Sequence, residues 1–407
     1  MVSQKLREML DRAAPAFEKG GPLEKFYPLY EMADTGAFTP GETTRTASHV
    51  RDGLDMKRLM ITVVLALVPL AAIATYNTGF QAASAIAQGA EPLNDFQTIL
   101  FTTLGGRFDP SSTLWCWVLG AFYFVPILAV TFATGGIIEA TSAIIRREDV
   151  NEGFLVTAML IPLTLPPTIP LWQVALGTAF GILIGKEVFG GTGMNFLNPA
   201  LVARAFLFFA YPANLSGTEP WIAADFIDVD SFSGATWLSQ AASDASALHN
   251  LDWWQAFVGW IPGSMGETSA LACLAGGILI CVTGVASWRT IAGVTLGTFA
   301  MSGLLNWVGS DTNPMFALTF NWHVVLGGWA LGTVYMTTDP VSSSYTDTGR
   351  WIYGFFIGVL TVLIRSINPA YPEGIMLAIL FMNMFAPLID YFILQSNVRR
   401  RLARDAA

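Results

Sequence analysis

The sequence predicts an all-α, polytopic membrane protein of about ten transmembrane helices, set in two inverted five-helix repeats with broken helices. Three observations predict this. Of 407 residues, 53% are hydrophobic and only 13% charged, about half the charged share of an ordinary soluble chain. The apolar residues fall in blocks, several of them approaching the ~20 residues that span a bilayer core. Short proline-centred motifs also recur in the two halves.

The blocks place candidate spans at 58–76, 113–135, 153–165, 171–189, 198–212, 268–286, 289–308, 322–337, 350–366 and 374–395. The third and fifth are short for a full crossing and are edged by proline and glycine. Lys and Arg set the orientation, because positively charged connections stay cytoplasmic. The N-terminal segment carries Lys5, Arg7, Arg12, Lys19, Lys25, Arg45, Arg51, Lys57 and Arg58, and the tail carries Arg399, Arg400, Arg401 and Arg404. Alternate connections hold Arg146 and Arg147, Lys186, Arg289 and Arg350; the opposite ones hold only Arg107 and Arg365. Ten spans with both termini cytoplasmic satisfy this pattern, with Arg365 as the exception. The organisation expected is a cytoplasmic segment 1–57, a first repeat 58–212, a periplasmic-side loop 213–267, a second repeat 268–395 and a cytoplasmic tail 396–407.

The loop 213–267 has no Lys or Arg but contains Glu219, Asp225, Asp228, Asp230, Asp244, Asp252 and Glu267. Trp221, Trp237, Trp253, Trp254 and Trp260 suit a structure lying at a membrane interface.

The repeat rests on Asn198-Pro199-Ala200 against Asn368-Pro369-Ala370, and on Leu165-Pro166-Pro167-Thr168 against Thr338-Asp339-Pro340-Val341. The offsets are 170 (198 to 368) and 173 residues (167 to 340). Five spans per half is odd, so the halves would be inverted. Such folds place ligand and ion sites where helices are broken, and Pro167 and Pro340 are expected in equivalent places.

Several chemistries are excluded. The net charge of −9 offers no basic face for nucleic acid. Cys116, Cys273 and Cys281 are too few for a thiolate-held iron–sulfur cluster. His49, His249 and His323 form no metal set. Gly190-Gly191-Thr192-Gly193 lacks the lysine and the βα context of a phosphate loop. No dinucleotide-binding fingerprint is present either.

The residues left with chemistry are few. In Asp230-Ser231-Phe232-Ser233-Gly234-Ala235-Thr236, Thr236 ends a small-residue loop, which on composition alone is an ordinary turn. Asn195 and Asn198 flank a glycine-rich break, where Asn198 also suits a helix cap. Glu139, Asp339 and Asp390 are acids within or beside apolar segments, where ionisable groups are costly. A hard cation is bound by carboxylate and carbonyl oxygens, which favours Asp339-Pro340. Arg204 lies in the short fifth segment without an evident partner.

The loop 230–236 matches the flavinylation signature D-x-x-S-G-A-T. With Gly190–Ala200, Asp149–Phe154 and Asp339-Pro340-Val341-Ser342, the chain resembles the NqrB/RnfD family along essentially its whole length. The resemblance implies FMN joined through its phosphate to Thr236 by a flavin transferase, with Asp230, Ser233, Gly234 and Ala235 forming the recognition loop. It implies non-covalent riboflavin at Asn195 and Asn198, and a quinone site bordered by Gly135, Gly136 and Glu139. It also implies cation uptake through Glu139, Asp339 and Asp390, and an N-terminal segment (Tyr27, Tyr30, Phe38) over the quinone. The complex implied oxidises NADH on an FAD/iron–sulfur subunit, contains a second flavinylated subunit, reduces ubiquinone and exports Na⁺ or H⁺ across the bacterial inner membrane. The alternatives are an Rnf-type subunit, which shares the flavin threonine but reduces no quinone, and a solute channel on the same repeat.

Overall fold

A lipid-embedded chain must satisfy its backbone internally, which leaves helices as the available element when the pattern is continuous apolar runs. The computed structural model describes residues 2–17, 20–28, 30, 34, 56–148, 153–226, 234–368 and 373–405, and these are helical with no strand among them; one isolated bridge joins Glu91 and Asp225. In chain order the helices are α1 Val2–Phe17, α2 Met56–Ala87, α3 Phe96–Thr103, α4 Thr113–Arg146, α5 Gly153–Leu163, α6 Leu171–Gly185, α7 Pro199–Ala210 and α8 Trp237–Ser243. Then follow α9 Trp253–Val258, α10 Ala270–Val282, α11 Trp288–Val308, α12 Phe320–Val325, α13 Trp329–Leu331 running into the π-helical turn Gly332–Met336, α14 Asp347–Ile367 and α15 Ile375–Asp405.

Every expected span contains a helix. Five helices (α2, α4, α11, α14 and α15) are long and apolar enough to cross a membrane, while α5, α7 and α10 are apolar but shorter. Three boundaries differ by ten residues or more, since α2 and α4 each run 11 residues past the expected ends (76 to 87, 135 to 146) and α15 runs 10 past (395 to 405), into the expected tail. The polar residues that suggested an end are absorbed instead. Thr75 and Thr78 return their hydroxyls to the carbonyls of Ala71 and Ala74, and Asn77 Nδ2 donates to Ile261 O at 2.9 Å. The expected span 322–337 is two pieces, broken at Leu326-Gly327-Gly328, where Gly327 takes a positive φ of 66°.

The long helices approach at backbone distance. A Cβ added to Gly120 would fall 1.7 Å from Thr75 O, and one added to Gly79 1.9 Å from Cys116 O, so α2 and α4 touch through glycine. Gly293 and Gly297 of α11 meet Gly354 and Gly358 of α14 in the same manner. With no hydrophobic force between helices in lipid, such small-residue seams supply the packing.

The two broken regions run between the same two places. Residues 164–170 follow α5; Leu163 O accepts from Gly266 N at 2.7 Å and Leu165 O from Met265 N at 3.1 Å, which ties that end of α5 to the 261–269 loop. α13 starts beside that loop, with Gly328 against the Glu267 carboxyl group, and ends at Thr338-Asp339-Pro340, where Asp339 faces Asn198. Thus α5 and α13 are antiparallel. Pro167 and Pro340 lie in the breaks at their respective C-terminal ends.

Candidate functional site

Asn198 caps α7. Its Oδ1 accepts from Ala200 N and Leu201 N at 3.0 and 3.4 Å, and Pro199 occupies the first helical position, where a missing N–H costs nothing. Its Nδ2 points to Asp339 Oδ2 at 3.5 Å. Asp339 is further held by Ser342 Oγ at 2.7 Å and Val341 N at 3.2 Å. Asn195, buried, donates to Leu197 O at 2.9 Å. Asn195, Asn198 and Asp339 line one cavity together with Lys186, Thr192, Tyr335, Thr338 and the start of α5 at Gly153. The cavity encloses about 60 Å³.

Lys186 connects this cavity to the candidates on α4. Its ammonium is ion-paired with Glu139, and both side chains are buried. Next to them Arg146 pairs with Glu187 Oε2 at 2.7 Å and also donates to Glu187 O. Gly135 faces inward, where an added Cβ would strike the Phe154 ring at 2.3 Å; Gly136 is open, with its nearest neighbour at 3.9 Å. Asp390 lies elsewhere, fastening the turn before α14 through Ser344 Oγ, Tyr345 N, Thr346 N and Thr346 Oγ1.

A second cavity holds Thr236. Thr236 is the N-cap of α8, its Oγ1 accepting from Ser239 N at 3.3 Å. Gly234 and Ala235 before it are buried, and a Cβ on Gly234 would lie 2.3 Å from Thr218 O, so only glycine fits there. Asp230 and Ser233 lie outside the described residues, as do Asp149 to Glu152, Pro369, Ala370 and Phe38. Thr236 shares its cavity with Ser264, Glu267, Thr268, Leu326 and Glu373.

Behind this cavity is a charge cluster that the sequence did not disclose. Arg204, 1% exposed, pairs with Glu373 Oε2 at 3.1 Å. Arg365, 0% exposed, donates to His323 O, Leu326 O and Glu373 O at 2.7, 2.8 and 3.0 Å. Arg365 is therefore no exception to the charge pattern of the connections, because it is a core residue at the end of α14. Glu267 and Glu373 were also missed. The available signal was weak: two arginines in apolar segments need two acids, but the loop 213–267 alone offers seven.

Among known proteins, a family model described as the NQR2, RnfD, RnfE family matches residues 43–399. The B subunit of a Na(+)-translocating NADH-quinone reductase of Pseudomonas paraeruginosa is 55% identical over 405 residues, covering 98% of this chain and 99% of that protein. Proteins of the same name from Pseudoalteromonas atlantica and Chromohalobacter salexigens are 55% and 53% identical over 404 residues, covering 98% and 99% of this chain and 99% and 97% of those proteins. The chain belongs to the NQR2, RnfD, RnfE family.

Proposed function

We propose that this protein is the B-type membrane subunit of a Na⁺-translocating NADH:quinone oxidoreductase. In this reading it lies in the bacterial inner membrane with both termini cytoplasmic and two inverted repeats. It carries FMN on Thr236, holds riboflavin at Asn195 and Asn198, and passes electrons to ubiquinone. The other subunits oxidise NADH, and a flavin transferase loads the threonine. The observation that carries the reading is the cavity at the meeting of two helix breaks, where two asparagine amides, a lysine and a carboxylate converge.

The residues fit their proposed groups to a defined extent. A phosphoester on Thr236 Oγ1 would stand at the first turn of α8, among backbone N–H groups that favour an anion. The first cavity's 60 Å³ is well below a flavin-sized pocket. It accommodates the carbonyl/N–H edge of the ring, which asparagine amides can pair with. A bound flavin would supply stepwise electron transfer. The chain's own residues bind and orient it: Asn198 holds its amide in place through its cap, Asn195 through Leu197 O, and the Lys186–Glu139 pair keeps a buried ammonium at the cavity wall. Glu139 stands one helical turn from Gly135 of the proposed quinone region. Glu139, Asp339 and Asp390 remain the proposed cation-uptake residues.

Thr236→Ala tests the covalent assignment. The hydroxyl contributes one cap hydrogen bond, so the fold should persist with about 1 kcal/mol lost. Mass spectrometry should show the wild-type chain heavier by one FMN and the variant unmodified. Flavin still bound covalently to the variant would refute the assignment, and colourless, unmodified wild-type protein from a host with the transferase would favour a solute channel. Deleting residues 1–55 separates the quinone-reducing subunit from an Rnf-type one, because only the former should lose quinone reduction.

A further inference from the structure

In lipid, an asparagine buried between helices ordinarily serves as glue, its amide bonding one helix to the next. Asn383, on α15 and 0% exposed, does this toward α14, where its Nδ2 donates to Tyr353 Oη at 2.5 Å. Tyr353 is also 0% exposed. The same Nδ2 donates to Ile379 O at 3.2 Å within α15. Both N–H groups of the amide are thereby used, which fixes its plane and turns Oδ1 toward the first repeat. The opposite orientation would set Oδ1 against the Ile379 carbonyl and Nδ2 against the Asn198 N–H, so the neighbours select this one.

What Oδ1 meets there is a backbone donor, Asn198 N, at 3.3 Å. Asn198 is the N-cap of α7, with φ −73° and ψ 119°, so its N–H lies outside the hydrogen-bond ladder of its own helix. The residue is buried, and an N–H stripped of its acceptor in such a place is costly. The second repeat therefore holds Asn198 twice: Asp339 Oδ2 takes the side-chain amide at 3.5 Å, and Asn383 Oδ1 takes the main chain. Asn198 Oδ1 is committed to the α7 cap, which leaves Nδ2 as the part of the amide that can turn to the first cavity. Where that group stands depends on the main chain that carries it. We infer that Asn383, steadied by Tyr353, is a positioning residue for the flavin-binding amide of Asn198. Neither Asn383 nor Tyr353 lines the first cavity; they act through the cap residue of α7. The inference rests on the assignment of non-covalent flavin to Asn195 and Asn198, and adds to it a residue pair from the second repeat.

The test is titration of the purified complex, freed of non-covalent flavin by dialysis, with riboflavin, followed through the quenching of its fluorescence. Asn383→Leu keeps the volume and removes the acceptor, and should raise the riboflavin dissociation constant roughly tenfold, the scale of one misplaced hydrogen bond. Asn383→Asp keeps an oxygen facing Asn198 N and should stay within about twofold of wild type. Tyr353→Phe removes the hydroxyl that holds Nδ2 and should fall between the two. FMN mass on Thr236 should be the same in all of them. A residue serving only as glue between α14 and α15 would lower the melting temperature of Asn383→Leu and leave the dissociation constant of the folded complex unchanged. That result overturns the inference, as does equal weakening in Asn383→Leu and Asn383→Asp. If Asn383→Leu fails to assemble, Tyr353→Phe decides alone, and a dissociation constant equal to that of wild type overturns the inference. Wild-type complex that takes up no riboflavin sinks the flavin assignment of the cavity and this inference with it, whereas wild-type binding beside an unaltered Asn383→Leu sinks only the role of Asn383.

Discussion

Glu139→Gln gives the sharpest test of how the first cavity is built. In the structure Lys186 and Glu139 are 3% and 6% exposed and paired with each other. Neutralising Glu139 leaves an ammonium in the core. The nearby Glu187 cannot compensate without releasing Arg146, its partner at 2.7 Å. Removing one member of a buried pair costs about 3–5 kcal/mol, while replacing both by neutral groups of similar volume is often close to neutral. Glu139→Gln and Lys186→Met should therefore each destabilise by roughly that amount, and the double variant should recover most of it. The assay is equilibrium unfolding of the three variants in mixed micelles, read as a double-mutant cycle. A coupling below about 0.5 kcal/mol would mean the two sites act independently, and the buried-pair argument would fail. Quinone reduction supplies the second axis. If Glu139 also serves the substrate, the double variant regains stability without activity; recovery of both makes the residue structural only.

Asn198 has two jobs that two substitutions separate. Asn198→Ser keeps an oxygen for the α7 cap and loses the amide, whereas Asn198→Ala loses both and about 1 kcal/mol with the cap. Both should lose acid-extractable, non-covalent flavin, and only the alanine variant should melt earlier; flavin retained by Asn198→Ser would refute the amide's role. Gly358→Ala brings a Cβ to 2.2 Å from Val294 O, which must open toward 3.4 Å, a displacement of 1.2 Å by difference. Such overpacking costs about 1–3 kcal/mol. Gly303→Ala meets nothing within 4 Å and replaces glycine by the better helix former, a gain of up to about 1 kcal/mol. Unfolding curves of the pair that coincide would remove the glycine seam as the basis of α11–α14 packing.

The fold class was legible because lipid leaves one solution for long apolar runs. Helix ends were less so: Asn77 and Glu139 are polar residues of the kind that end a helix in composition, yet each lies inside one because its partner, Ile261 O or Lys186, comes from a distant part of the chain. Asn195, Asn198 and Asp339 were found in the sequence because glycine and proline mark broken backbone. Their meeting was not, since Asn198 and Asp339 are 141 residues apart. Glu267 and Glu373 escaped notice for a different reason. Each sits in a polar connection, where a carboxylate is ordinarily solvated, and only the folding-back of that connection brings it to Arg204 and Arg365, burying Glu267 fully and Glu373 in part.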